Sequence, residues 1–426
     1  MPVDPSATLE AVWKLESGRV IATLLRMVRD LDIAEELAQD ALLSAWDKWR
    51  SQGLPEHPAG WLMTAAKNRA IDHLRRQTVY GEIRQSLSHQ TPDRTPASQT
   101  EEAADAQIDD DVLRLMFTVC HPLLSPDSRV ALALRLVNGL SVAEIARAYL
   151  VPETTLAQRI TRAKRTLKSA RVRLELPEGA EREAQLASVL EAIYLIFNEG
   201  YTATSGPQWM RPTLCQEALR LARSLAGLVT TDSEVFGLAA LMEFQASRLS
   251  ARMDSAGEAV LLAEQNRALW DPLLIRRGFT YLEQAFGLQQ PVGMYCLQAA
   301  IAACHARAST WETTDWEEIT ALYDALLQIH PTPVVALNRA VAVSLSEGPQ
   351  AGLEIVDDLR NEPQLSTYHL LYSVRGDLLQ KLGRHAEASR EFLHAAALTR
   401  NEQEQSLMQR RATECIEQDS AGRNIN

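Results

Sequence analysis

Apolar residues recur at three- and four-residue spacing along almost the whole chain. No stretch shows the sustained alternation of a half-buried strand. The pattern predicts an all-α protein. A first helical unit spans residues 9–77. Inside it, "DIAEELAQDALLSAW" reads as an amphipathic helix with Ile33, Leu37, Ala41 and Ala45 on one face. Asp32, Glu35, Glu36, Gln39 and Asp40 cover much of the remainder. A short loop at residues 50–58, holding Arg50, Gly53, Pro55, His57 and Pro58, precedes a second helix at 59–77. That helix opens near Trp61 and sets Lys67, Arg69, Arg75 and Arg76 against Asp72 alone.

Residues 78–110 are polar, rich in Ser, Thr and Pro, and end in Glu101, Glu102, Asp105, Asp109 and Asp110. This is the composition of a flexible acidic linker. A further helical unit follows at 111–176, punctuated at its end by Pro177 and Gly179. Ser141 and Glu144 have capping-box spacing and should open a short helix over 142–149. Pro152 suits the first position of the next helix. There Leu156, Ile160, Ala163 and Leu167 share one face, free to pack on Ile145 and Tyr149. Thr154, Thr155, Gln158, Arg159, Arg162 and Arg165 lie away from that face. Two short helices so arranged are a helix-turn-helix, with donors suited to base edges in a major groove. Lys164, Lys168, Arg171 and Arg173 suit phosphates.

Residues 186–426 form a long series of helices broken by Gly and Pro. The spacing of Tyr372, Gly376, Ala388, Phe392 and Ala395 resembles the tetratricopeptide (TPR) pattern, with a turn at Gly383. A looser unit with a turn at Gly348 precedes it. Such units bury their apolar faces only by stacking. At Asn198-Glu-Gly200, Gly200 is expected to be a left-handed helix cap; the sharper alternative has Glu199 contacting the preceding units.

Charge changes the picture. The chain carries a net −12, yet residues 111–175 hold eleven Lys and Arg against five Asp and Glu, a net of +6. The tail from Leu176 onward carries −12. A basic module beside an acidic bulk is a nucleic-acid signal that the overall sign hides. The five cysteines form no Cys-x-x-Cys pair, so neither a disulfide framework nor a zinc site is indicated. No run is long and apolar enough to span a bilayer, and the N-terminus lacks a secretory pattern, so a cytoplasmic protein without a membrane partner is expected. No His-Glu-x-x-His, Walker loop or nucleophile elbow occurs. The expectation is therefore no enzyme, no cofactor and no metal.

"DIAEELAQDALLSAW", Trp61 and "AKNRAIDHLRR" resemble region 2 of sigma-70-family factors of the extracytoplasmic-function (ECF) group. "LSVAEIARAYLVPETTLAQRITRAKRTLK" resembles region 4. The linker leaves no room for a folded region 3. The tail, from "YLIFNEGY" onward, resembles a subgroup with a C-terminal TPR-like extension. The resemblance implies a factor directing RNA polymerase to promoters. Asp32, Glu35, Glu36, Gln39 and Asp40 would dock on a coiled coil of the core polymerase's largest subunit, with the flap region as a further contact. Arg50, His57, Trp61, Lys67, Asn68, Arg69, His73, Arg75 and Arg76 would hold the −10 element as it melts. Trp61 is either a stacking wedge or a core tryptophan anchoring the loop. Thr154, Thr155, Gln158, Arg159, Arg162, Lys164 and Arg165 would bind the −35 element. Ala157 and Thr161 stand where many relatives carry Arg and an aromatic residue, so the −35 sequence does not carry over. The acidic tail is expected to regulate the factor in cis through an intramolecular contact with the sigma core. The alternative is a helix-turn-helix transcriptional regulator with a TPR-like sensor domain.

Overall fold

The computed structural model describes residues 5–85, 101–149, 151–172, 177, 179–204, 206–254 and 258–423. Among these there are eighteen α-helices, two isolated β-bridges and no strand. The helices pack as two compact units, Met1–Leu195 and Ile196–Asn426.

The first unit contains α1 (Pro5–Val28), α2 (Leu31–Gln52), α3 (Pro58–Gln85), α4 (Glu101–Val119), α5 (Pro126–Leu132), α6 (Val142–Ala148), α7 (Glu153–Ser169) and the start of α8 (Gly179–Tyr201). Helix α5 continues directly into a buried π-helical turn, Ala133–Val137. α1 packs on α2, α3, α4 and this turn, which joins the two halves of the unit. The approach is close: a Cβ on Gly18 would stand 2.8 Å from the Val137 carbonyl oxygen. The Trp13 indole donates to the Gly139 carbonyl at 3.0 Å, and Gly139 turns there with φ +73°. Arg26 binds the fully buried Asp111 carboxylate at 2.7 Å.

Three expectations need correction here. The interval 78–110 is not linker throughout, because α3 extends to Gln85 and α4 starts at Glu101. The far end of α4 is anchored by buried Val112, Leu115, Met116 and Phe117. The central part of that interval, 86–100, lies outside the described residues. Pro152 is the N-cap of α7 and precedes its first turn, with extended ψ of 139°. Gly200 lies inside α8 and is not a left-handed cap. It is glycine because a Cβ there would meet the Cys215 backbone nitrogen at 2.6 Å.

The second unit holds the end of α8, then α9 (Pro212–Leu228), α10 (Ser233–Ser247), α11 (Pro272–Gly287), α12 (Met294–Arg307), α13 (Trp316–Ile329), α14 (Pro333–Ser346), α15 (Pro349–Leu359), α16 (His369–Lys381), α17 (His385–Leu398) and α18 (Glu402–Arg423). From α12 onward each helix packs on the next in sequence. Gly348 and Gly383 take positive φ of 108° and 72° in two of the turns. Phe392 is fully buried, and Gly376 lets α16 approach its ring: a Cβ would sit 2.8 Å from Cε1. Asn401 ties the end of the series to its beginning. Its buried amide donates to Ala203 and Gln208 carbonyls at 2.9 and 3.0 Å, while its Oδ1 accepts from Gln403 and Glu404 amides.

Burial, reinforced by the charges of Arg248 and Arg267, pushes the His305 imidazole down to about 3. Trp316 packs edge-on against it. A histidine held neutral below its unfolded value costs stability as pH falls, because only the unfolded chain takes up the proton. The stability this group confers is complete above about pH 6.5. It should fall by about 2 kcal/mol by pH 5, at about 1.4 kcal/mol per pH unit. Thermal midpoints measured from pH 6.5 to 5 should slope downward in the parent and flatten in His305→Phe.

Candidate nucleic-acid interface

Helix α2 starts at Asp30, whose side chain caps the Asp32 and Ile33 amides at 3.0 and 3.2 Å. Its buried stripe is Ala34, Leu37, Ala38, Ala41, Ala45 and Trp49. Ile33 sits at the margin of this stripe. Trp49 extends it, and Trp61 at the start of α3 packs edge-to-face on Trp49, ring centroids 5.8 Å apart. The Lys48 ammonium lies 5.6 Å over the Trp61 ring. Trp61 is half-buried, consistent with an anchor for the 50–58 loop. Arg50, His57, Asn68, Arg75 and Arg76 are exposed, and Lys67 and His73 half-buried. Arg50 stacks 5.4 Å over Trp46. Arg69 turns inward to Ser44 and to Asp40 at 3.5 Å.

The helix-turn-helix forms as the spacing predicts. Ser141 and Glu144 make a reciprocal capping box, and Glu144 also reaches Lys14 of α1 at 3.2 Å. Ser141→Ala should lower the stability of the first unit by about 1 kcal/mol, readable as a lower urea midpoint. In α7, Leu156, Ile160, Ala163 and Leu167 are all buried, and Thr154, Thr155, Gln158, Arg162 and Arg165 all exposed. Arg159 is drawn to Asp127 at 3.3 Å.

The two candidate surfaces meet each other. Lys164 of α7 binds the Glu35 carboxylate and reaches Asp32 at 3.0 Å. Arg135 binds Glu35 from the other side at 2.7 Å, and Gln39 donates to the same carboxylate at 3.0 Å. Lys168 pairs with Asp30 at 2.8 Å. Glu35 is consequently buried at 9% exposure, whereas Glu36 stays exposed. Burial opposes the charge on Lys164, but Glu35 and Asp32 outweigh it and raise the ammonium above its ordinary value. The hydrogen bond from Lys168 lowers the Asp30 carboxyl. Asp30 and Arg135 escaped the sequence reading. An Asp directly before an amphipathic run is an N-cap signal that identifies the first; nothing local marks Arg135.

All five cysteines are buried, and no group of His, Cys, Asp or Glu suited to a metal occurs among the described residues. No helix there is long and apolar enough to cross a membrane.

Residues 13–79 match sigma-70 region 2 and residues 114–167 match sigma-70 region 4. Residues 185–286 match a family of unknown function, DUF6596. Distant relatives include the probable ECF RNA polymerase sigma factor SigI of Mycobacterium tuberculosis, 25% identical over 43% of this chain and 62% of that protein. Another is the ECF RNA polymerase sigma factor SigL of the same organism, 29% identical over 38% of this chain and 88% of that one. The first unit therefore carries segments matching sigma-70 regions 2 and 4, in that order. The whole chain belongs to one family with an uncharacterized protein of Rhizobium meliloti, 44% identical over 91% of this chain and 90% of that protein.

Proposed function

We propose that the chain is an ECF-type RNA polymerase sigma factor that directs promoter recognition and transcription initiation. One observation supports this most. A helix pair with an acidic first and a basic second member is followed by a capped helix-turn-helix whose outer face exposes polar and basic side chains of its second helix. Exposed Thr154, Thr155, Gln158, Arg162 and Arg165 on α7 are donors and acceptors matched to base edges and phosphates of the −35 duplex. Exposed Arg50, His57, Asn68, Arg75 and Arg76 track the −10 strand, with Lys67, Arg69 and His73 at the margin. Asp32, Glu35, Glu36, Gln39 and Asp40 dock on the basic coiled coil of the core enzyme by charge complementarity.

In this reading the Glu35–Lys164–Arg135 cluster belongs to a closed state. It engages one polymerase-docking carboxylate and one DNA-binding ammonium in each other, and it opens before either meets its partner. The second unit, TPR-like in its stacked helical pairs, regulates the factor in cis. Its acidity beside the basic 111–175 segment motivates that role.

Run-off transcription on genomic fragments, by core polymerase with and without the full chain, tests the assignment. Promoter-specific transcripts that require the protein are expected. Sequence-specific duplex binding without polymerase, and no transcripts, would instead make it a free-standing helix-turn-helix regulator. Deleting residues 196–426 tests the cis role. The cut follows Leu195 because Glu191 of α8 pairs with Arg129 inside the first unit. Unchanged promoter output would remove that role.

A further inference from the structure

Among the described residues, no carboxylate pairs with three arginines of the second unit. Arg252 is buried at 5% exposure and stacked between Tyr201, 3.6 Å from the ring centroid, and Trp209 at 4.9 Å. It donates to the Tyr201 carbonyl and to Thr202 Oγ1. Arg267 stacks 4.9 Å from Trp270 and donates to the His305 and Ala308 carbonyls and to Thr314 Oγ1. Arg248 stands between them, 5.8 Å from Tyr201 and 5.5 Å from Trp270, and donates to the Tyr201 hydroxyl. Every one of these acceptors is neutral. Burial and then the charge of Arg248 hold Arg252 and Arg267 below the ordinary arginine value; Glu404 and Glu312 act on them only at longer range.

Like charges gathered in a partly buried place are costly unless an opposite charge joins them. Hydrogen bonds also go unmade there: Arg248 Nε and Trp270 Nε1 are both buried donors without an acceptor. The aromatic rings lie over guanidinium faces, and both unpaired donors are enclosed, so a ligand reaches them only by entering among these side chains. What is missing is acceptor-rich and negatively charged. A phosphate group, with about −1.5 to −2 charge at neutral pH and three acceptor oxygens, balances three guanidiniums better than a single carboxylate.

We propose that Arg248 and Trp270, backed by Arg252 and Arg267, form a binding site for a phosphate-bearing ligand in the helical-repeat unit. Arg248 Nε and Trp270 Nε1 donate to the phosphate oxygens, and the two flanking arginines supply the field that holds the anion. The site would give this unit a chemical input whether or not the chain works with polymerase.

Calorimetric titration of the full-length protein with inorganic phosphate, at ionic strength held constant with chloride, tests it. A saturable site is expected, accompanied by a rising thermal midpoint. Trp270→Phe keeps the ring and deletes the N–H, and should weaken binding about 10-fold, the value of one charge-assisted hydrogen bond. Arg248→Gln should weaken it further. Trp270→Phe keeps the test open if Arg248→Gln does not fold. Phosphate heats no larger than those of chloride overturn the proposal. So does unaltered phosphate affinity in Trp270→Phe, and so does acetate binding as tightly as phosphate.

Discussion

Replacing Arg135 with methionine should raise the apparent affinity of the chain for core RNA polymerase by about 5–30-fold. Arg135 lies on neither proposed contact surface; it acts through Glu35, which it binds at 2.7 Å with its side chain 19% exposed. Methionine keeps the aliphatic stem and removes the guanidinium. A half-buried pair of this kind is worth more than a surface pair and less than a fully buried one, about 1–2 kcal/mol. That energy counts only in the closed state, so losing it raises the open population by about 5–30-fold. Apparent affinity rises in proportion while the open form remains the minority. Lys164→Ala offers a crossed control. It should also favour core binding, but weaken binding to −35 duplex if the same ammonium, once released, is the phosphate contact proposed for it. Fluorescence titration of labelled core polymerase reads the first effect, and duplex titration reads the second. Unchanged or weaker core affinity in Arg135→Met would mean that the Glu35 cluster does not stand between the chain and polymerase. Moderate salt should narrow the gap between parent and variant, since screening removes in both what the substitution removes in one.

The same cluster marks where the sequence stops being legible. Periodicity reports which residues of one helix share a face. It therefore placed Leu156, Ile160, Ala163 and Leu167 in the interior of α7, and Leu37, Ala41 and Ala45 in that of α2. Capping chemistry is equally local, so Ser141 and Glu144 were readable as a pair. Glu35 was readable as one acid among five on a helix, but its burial was not, because its partners lie 100 and 129 residues away. A sequence read one helix at a time contains no term for that meeting. The 78–110 interval misleads for a related reason. Its acids read as a solvated linker, yet from Glu101 onward they begin a helix whose stability comes from Val112 to Phe117 packing further along α4. Gly200 misleads in the opposite direction: glycine at a helix end suggests a cap, but here the demand is for room beside Cys215 on another helix.

The largest loss of stability is expected at Arg211→Met. Glu199 and Arg211 are 9% and 7% exposed and bind each other directly, within the segment matching the family of unknown function. The Glu199 carboxylate also accepts the Thr204 amide at 3.3 Å, and the Arg211 amide donates to the Gly200 carbonyl at 2.7 Å. The pair thus closes the chain reversal between α8 and α9. Removing Arg211 leaves the Glu199 carboxylate stranded in a place that water scarcely reaches, at a cost of about 3–5 kcal/mol. Removing both takes away the stranded charge along with the attraction, and a buried pair replaced by apolar side chains of similar size is often close to neutral. Glu199→Met/Arg211→Met should therefore recover most of the stability lost in Arg211→Met. Denaturant midpoints of the parent, both single variants and the double variant complete the cycle. If the double variant is as unstable as the worse single, the residues act through separate packing and the pair is not what holds the turn. If Arg211→Met costs under about 1 kcal/mol, as an exposed pair would, then solvent reaches Glu199 and the reversal is held by Gly200 and its backbone contacts alone.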